Sequence, residues 1–139
     1  MRFMDFLKRI SQKQYIALLI AWTAIILLLL LLPSKAFASG GRLLTIPHAD
    51  KAVHFVLFAT ETFLCIKNLE FVKEKIHYNI YLSAVTDIFF FGLLTEILQG
   101  LMYNTAKRTF SWADLAFDTL AAIAAALVMY FNKRKCQRK

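Results

Sequence analysis

Residues Tyr15 to Leu32 form an unbroken run of eighteen in which Thr23 is the single polar side chain. A helix crosses the hydrocarbon core with roughly 20 predominantly apolar residues, and the lower limit lies near 17. The run therefore predicts a first membrane span at about 15–32, stopped by Pro33. Arg2, Lys8, Arg9 and Lys13 precede it, against the one acid Asp5. Basic residues, an apolar run and then Ala36-Phe37-Ala38 before Ser39 also have the form of a secretory signal. The apolar part of such a signal usually spans about 7–15 residues, so a retained span is the expectation. Either outcome leaves the next segment outside the cytoplasm.

The rest of the chain repeats the pattern. Of its 139 residues 59% are hydrophobic, and the mean hydropathy is +0.55. That is too apolar for an ordinary soluble domain, and the apolar residues come in blocks. After a polar linker, Ser34 to Ile46, Pro47 suits the first turn of a second helix and Asp50 suits the positive end of its dipole. The predicted spans are about 52–69, then 79–98 after a charged turn at Asn68–His77, then 112–131 after a loop at Gln99–Ser111. Asn132 to Lys139 reads as a basic tail. The fold class is thus an all-α membrane protein, an antiparallel bundle of four transmembrane helices in one domain covering 1–139. The run Ala121 to Ala126 sets small residues four apart, which allows close helix approach in lipid.

Orientation follows from the Lys and Arg residues of the flanks. The N-terminal tail holds four, the 67–78 turn three and the C-terminal tail five. The other two loops hold three (Lys35, Arg42, Lys51) and two (Lys107, Arg108). Twelve against five predicts both termini in the cytoplasm. The segments around Asp50 and from Glu96 to Asp114 are then expected together at the outer face. The formal net charge of +8 comes largely from the tails, so it indicates anionic headgroups and orientation rather than a nucleic-acid surface.

The chemistry-bearing residues fall at that same face. Asp50 and His54 lie one helical turn apart, with Glu61 deeper on the same face. A carboxylate–imidazole row of this kind orients a histidine and carries its proton. An equally open alternative has Asp50 only capping the helix and His54 at headgroup level. Glu96 and Gln99, three apart, share a face at the end of the third span. Arg108 is the natural partner of Glu96, Asp114 or Asp50, or the contact for a phosphate or carboxylate ligand. Ser111 is a candidate N-cap for the helix that carries Asp114, and Asp118 sits a turn deeper, facing the bundle. Carboxylates at such depth either pair or take up a proton. Asp87, nine residues before Glu96, falls on the opposite face and suits a contact with another helix or another copy.

Several classes are excluded. Cys65 and Cys136 offer no metal spacing and no disulfide framework. A single histidine in the candidate site, without a second ligand pair nearby, argues against a zinc centre, so no metal and no cofactor are expected. Phosphate loops, nucleophile elbows and dinucleotide fingerprints are absent.

Three blocks together carry a family resemblance: Asp50-Lys51-Ala52-Val53-His54-Phe55, Glu96-Ile97-Leu98-Gln99, and Arg108-Thr109-Phe110-Ser111-Trp112-Ala113-Asp114-Leu115. In order, spacing and position relative to the spans they resemble the VanZ-like family of small bacterial membrane proteins. The chain departs from the family pattern at Asp118, where an asparagine is usual, at Ala122, where a glycine is usual, and at Ala106-Lys107, where a proline precedes the arginine. The resemblance implies a protein of the bacterial inner membrane with a cell-envelope role, its namesake being linked to teicoplanin resistance. The expected function is an outward-facing site of Asp50, Lys51, His54, Glu96, Gln99, Arg108, Ser111, Asp114 and Asp118 that binds or acts on a lipid-linked or glycopeptide-related ligand. Alternatives are an integral-membrane enzyme with His54 or Glu96 as acid/base, and a small proton-coupled carrier using Glu61, Asp87 and Asp118. The expected partners are membrane lipids and a cell-wall precursor or glycopeptide; nucleic acid is not expected, and an oligomer stays open.

Overall fold

A computed structural model describes residues 11–31, 49–72, 79–106 and 109–137. They are almost wholly helical: α1 (Gln12–Leu31), α2 (Ala49–Val72), α3 (Ile80–Leu101), a single turn α4 (Tyr103–Ala106) and α5 (Trp112–Gln137). Among the described residues, α1, α2, α3 and α5 are each long and apolar enough to cross a membrane. The linker with Gly40 and Gly41, Pro47, the 73–78 turn, and Lys107 and Arg108 lie outside the described residues, as does the proposed cleavage site at Ala36–Ser39.

Capping side chains, rather than hydrophobicity, set the helix ends. α1 starts a turn before its apolar run because Ser11 and Gln14 cap each other: the Ser11 amide donates to Gln14 Oε1 at 2.8 Å, and the Gln14 amide to Ser11 Oγ at 3.4 Å. Asn79 caps α3, its side chain accepting from the amides of Tyr81 and Leu82. At the other end α3 runs past the expected boundary at Leu98. The Met102 amide closes onto the Leu98 and Gln99 carbonyls, and α4 follows, so the loop expected from Gln99 is shorter. α5 likewise continues beyond Phe131 to Gln137, with Arg134 and Lys135 in its last turn, where cations complement the helix dipole.

The interior is small and the exterior apolar. One core cluster joins Ile26 and Leu30 of α1, Leu57 and Phe58 of α2, Ile88 of α3, and Ala121 and Ala122 of α5. A second joins Ile66, Ile80, Ala84 and Ala126. The buried alanines of α5 bring that helix close to both α2 and α3, its main neighbours. Large apolar side chains point outward instead, among them Leu28, Val56, Leu82, Phe90 and Leu127. In water that many exposed apolar groups would drive aggregation, whereas against lipid tails they carry no such cost.

Ion pairs and polar bridges fix which helix ends meet. Glu70 near the end of α2 bonds Lys67 at 2.9 Å and Lys133 of α5 at 2.7 Å. Lys51 at the start of α2 bonds Asp114 at the start of α5 at 2.8 Å. The ends of α3 and α1 meet through Gln99 Nε2, which donates to the Leu30 carbonyl at 2.9 Å. Further along α1, Trp22 Nε1 donates to the Leu57 carbonyl at 3.0 Å, and Asn68 Nδ2 to the Tyr15 carbonyl at 3.2 Å.

Candidate functional site

The first turns of α2 and α5 and the last turns of α3 hold a polar cluster built as two rungs. In the outer rung Lys51 Nζ donates to Asp114 Oδ1 at 2.8 Å, both side chains being partly exposed. Lys51 also lies 5.7 Å from the Phe117 ring centroid. Stepping one turn along each helix, from Lys51 to His54 and from Asp114 to Asp118, gives the inner rung. There His54 Nδ1 and Asp118 Oδ1 are 3.0 Å apart. The inner rung is sealed: His54 is 5% exposed and Asp118 1%. The imidazole stacks on Phe58, with ring centroids 6.1 Å apart and an interplanar angle of 16°.

Glu96 joins the inner rung from α3. It is fully buried, and its Oε2 accepts the Ser111 amide at 2.8 Å. Ser111 in turn caps α5, its Oγ accepting the Asp114 amide at 3.2 Å. The short segment before α5 thereby ties Glu96 to the start of the helix that carries Asp118. Gly92, one turn before Glu96, leaves room for this approach: a Cβ there would lie 3.3 Å from Leu115 Cδ1 and 3.5 Å from Asp118 Oδ2. The sequence signal for Gly92 is its spacing of four from Glu96, which puts both on one face of α3.

Two oxygens of this buried group, Glu96 Oε1 and Asp118 Oδ2, have no hydrogen-bond partner. Each His54, Glu96 and Asp118 side chain offers a nitrogen or oxygen atom within 4.8 Å of the others'. Burying two carboxyl groups beside one imidazole in this way is costly unless protons or a cation balance them. No family model, curated protein or solved structure compared with this chain matches it. Three stretches far apart in sequence supply His54, Glu96, Ser111 and Asp114 to one place.

His54 takes its partner from α5, because the inner rung places Asp118 beside Nδ1; the side chain of Asp50 lies outside the described residues, as does Arg108. Glu61 is buried but separate: its Oε1 accepts from the Thr23 hydroxyl of α1. Gln99 is also buried, and its amide is spent on the last turn of α1. His54 does not stand without neighbouring donors: Glu96 and Asp118 arrive from other helices. Asp87 is exposed on α3, away from the cluster, as its spacing from Glu96 implied.

Beside the outer rung an apolar groove of about 630 Å³ is lined by Lys51, Ala52, Phe55, Val56 and Phe117. Its walls suit an acyl chain or another apolar body, with Lys51 at its polar edge.

Proposed function

We propose that this chain is a VanZ-like protein of the bacterial cytoplasmic membrane, an antiparallel four-helix bundle with both termini in the cytoplasm. Its polar cluster then faces outward and binds a polar or anionic cell-envelope ligand, either a lipid-linked cell-wall intermediate or a glycopeptide-related molecule, and so alters teicoplanin sensitivity. The observation that carries this reading is the burial of His54, Glu96 and Asp118 together, with two carboxylate oxygens unpartnered. A bundle gains little stability from such a group, because apolar side chains of the same size pack as well at lower cost. Intramembrane ionisable residues that persist against that cost mark functional positions. In this reading Lys51 and Arg108 meet the ligand's anionic part and the groove beside Lys51 takes its apolar part.

Two experiments test it. With Cys65 and Cys136 replaced by serine and Asn104 by cysteine, labelling of intact cells by an impermeant thiol reagent is expected; protection until permeabilisation would place the site in the cytoplasm. Expression of the wild type is expected to shift teicoplanin susceptibility, and the double variant Glu96→Gln/Asp118→Asn to abolish that shift at equal protein level.

A second reading is favoured by the bond between His54 and Asp118. An ionised Asp118 accepting from Nδ1–H leaves Nε2 as a base, the arrangement of an acid/base catalyst acting on a lipid-linked substrate. His54→Ala separates the readings. Binding alone loses affinity in a graded way, whereas catalysis falls by about 10²–10⁴-fold with affinity kept. A proton-coupled carrier would draw on Glu61, which bonds Thr23, on Asp118 of the cluster and on Asp87, exposed on α3.

A further inference from the structure

We propose that His54, Glu96 and Asp118 together bind a divalent first-row transition-metal ion, Zn²⁺ or Mn²⁺. The inference deepens the reading of the cluster as a functional site and adds an occupant that the sequence alone argued against. Three observations carry it.

The first is the donor set. One imidazole nitrogen and two carboxylate oxygens from α2, α3 and α5 come within 4.8 Å of one another. Metal–nitrogen and metal–oxygen bonds of about 2.0–2.2 Å in a tetrahedron set neighbouring donors roughly 3.3 Å apart. The 3.0 Å between His54 Nδ1 and Asp118 Oδ1 is close to that edge. The pair can share a metal ion much as it shares a proton, and a small inward shift of the Glu96 carboxyl, which lies within 4.8 Å of the other donors, completes the set.

The second is the unmet demand of the site. Glu96 Oε1 and Asp118 Oδ2 are acceptors without donors, on side chains 0% and 1% exposed. One dication bound by Glu96 and Asp118 matches the charge of the two carboxylates, leaving the imidazole neutral as a ligand must be.

The third is the support around the donors. The Ser111 amide holds Glu96 Oε2, and Phe58 stacks on the imidazole. Outer contacts of this kind orient ligands in metal sites. A nitrogen donor disfavours Mg²⁺ and Ca²⁺, which prefer oxygen alone, whereas a mixed nitrogen–oxygen set suits Zn²⁺ or Mn²⁺. Three protein ligands also leave a position open, the pattern of metal sites that take water or a substrate oxygen. An anionic headgroup oxygen is the ligand class that fits it, with Lys51 one turn away.

The test uses the full chain purified in detergent, stripped with a chelator and dialysed against Zn²⁺, Mn²⁺ or Co²⁺ in excess Mg²⁺. Elemental analysis is expected to find about one Zn²⁺ or Mn²⁺ per chain, with Mg²⁺ unable to displace it. The Co²⁺ form is expected to show visible ligand-field bands of low-symmetry nitrogen–oxygen coordination. Glu96→Gln and Asp118→Asn should each weaken binding by more than about tenfold, while Glu61→Gln, a buried carboxyl outside the cluster, should bind as the wild type does. Circular dichroism checks that the variants remain helical. A wild type that retains no ion, or binds equally well as the Glu96→Gln/Asp118→Asn double variant, overturns the proposal whatever the variants do. Metal content is read without any envelope ligand, so a negative result here leaves the topology and susceptibility tests to decide the ligand reading separately.

Discussion

Replacing both members of the inner rung by leucine separates stability from function. His54→Leu alone removes the partner of Asp118 Oδ1, and Oδ2 has none to begin with. A carboxylate stranded in a site 1% exposed should cost about 3–5 kcal/mol, the range for breaking a buried pair from one side. Asp118→Leu alone strands a neutral imidazole nitrogen, at about 1–3 kcal/mol. Independent effects would therefore sum to roughly 4–8 kcal/mol. Leucine is close to aspartate in shape but leaves a small void in place of the imidazole, so the double variant should lose only about 1 kcal/mol. The coupling, several kcal/mol in favour of the double variant, is what a buried polar pair predicts. Unfolding of the detergent-solubilised protein by titration with a denaturing surfactant, followed by far-ultraviolet circular dichroism, measures all four corners of the cycle. The same double variant should fold yet bind no Zn²⁺. If the single costs simply add, or each stays below about 0.5 kcal/mol, the pair is not sealed from water and the reasoning fails.

Other perturbations probe the frame around the cluster. Gln99→Leu removes a buried tie to the Leu30 carbonyl and should lower the unfolding midpoint by the equivalent of about 0.6–1.7 kcal/mol, the range for interhelical bonds in membranes. Gly92→Val adds branches where a Cβ already lies 3.3 Å from Leu115 Cδ1; the expected cost is about 1–3 kcal/mol, with metal binding weakened because α5 is pushed from α3. Lys133→Ala removes a partly exposed contact to Glu70, and a change above about 1 kcal/mol in the same titration would contradict the account of that end of the bundle. Ser11→Ala should speed hydrogen exchange at the Gln14 amide, whose acceptor it removes, without changing exchange in the middle of α1.

Much of the fold is legible in the sequence because lipid imposes length and apolarity on each span. Where the two criteria part company, at helix ends, the reading drifts. The Ser11–Gln14 box and the bonds closing the last turn of α3 extend helices through residues too polar to count as span. The candidate residues were also legible one at a time, since a carboxylate or histidine in an apolar run stands out. Their partners were not. Whether Asp118 reaches His54 depends on how α2 and α5 are rotated and offset, a packing set by the alanines of α5 and the room left at Gly92. Gln99 shows the converse: its place beside Glu96 suggested ligand binding, yet a helix end beyond the reach of periodicity takes its amide.

The bonds that hold α1 have a consequence for how this protein tolerates change. Trp22, Asn68 and Gln99 each donate to a main-chain carbonyl, at Leu57, Tyr15 and Leu30. No substitution at the three accepting positions can delete an acceptor, so drift at Leu57 and Leu30 is constrained by packing. The whole mutational risk of those three contacts falls on the donors. Random mutagenesis with selection for folded protein should therefore find residues 57 and 30 freely exchanged among apolar types, while 22, 68 and 99 keep an N–H donor.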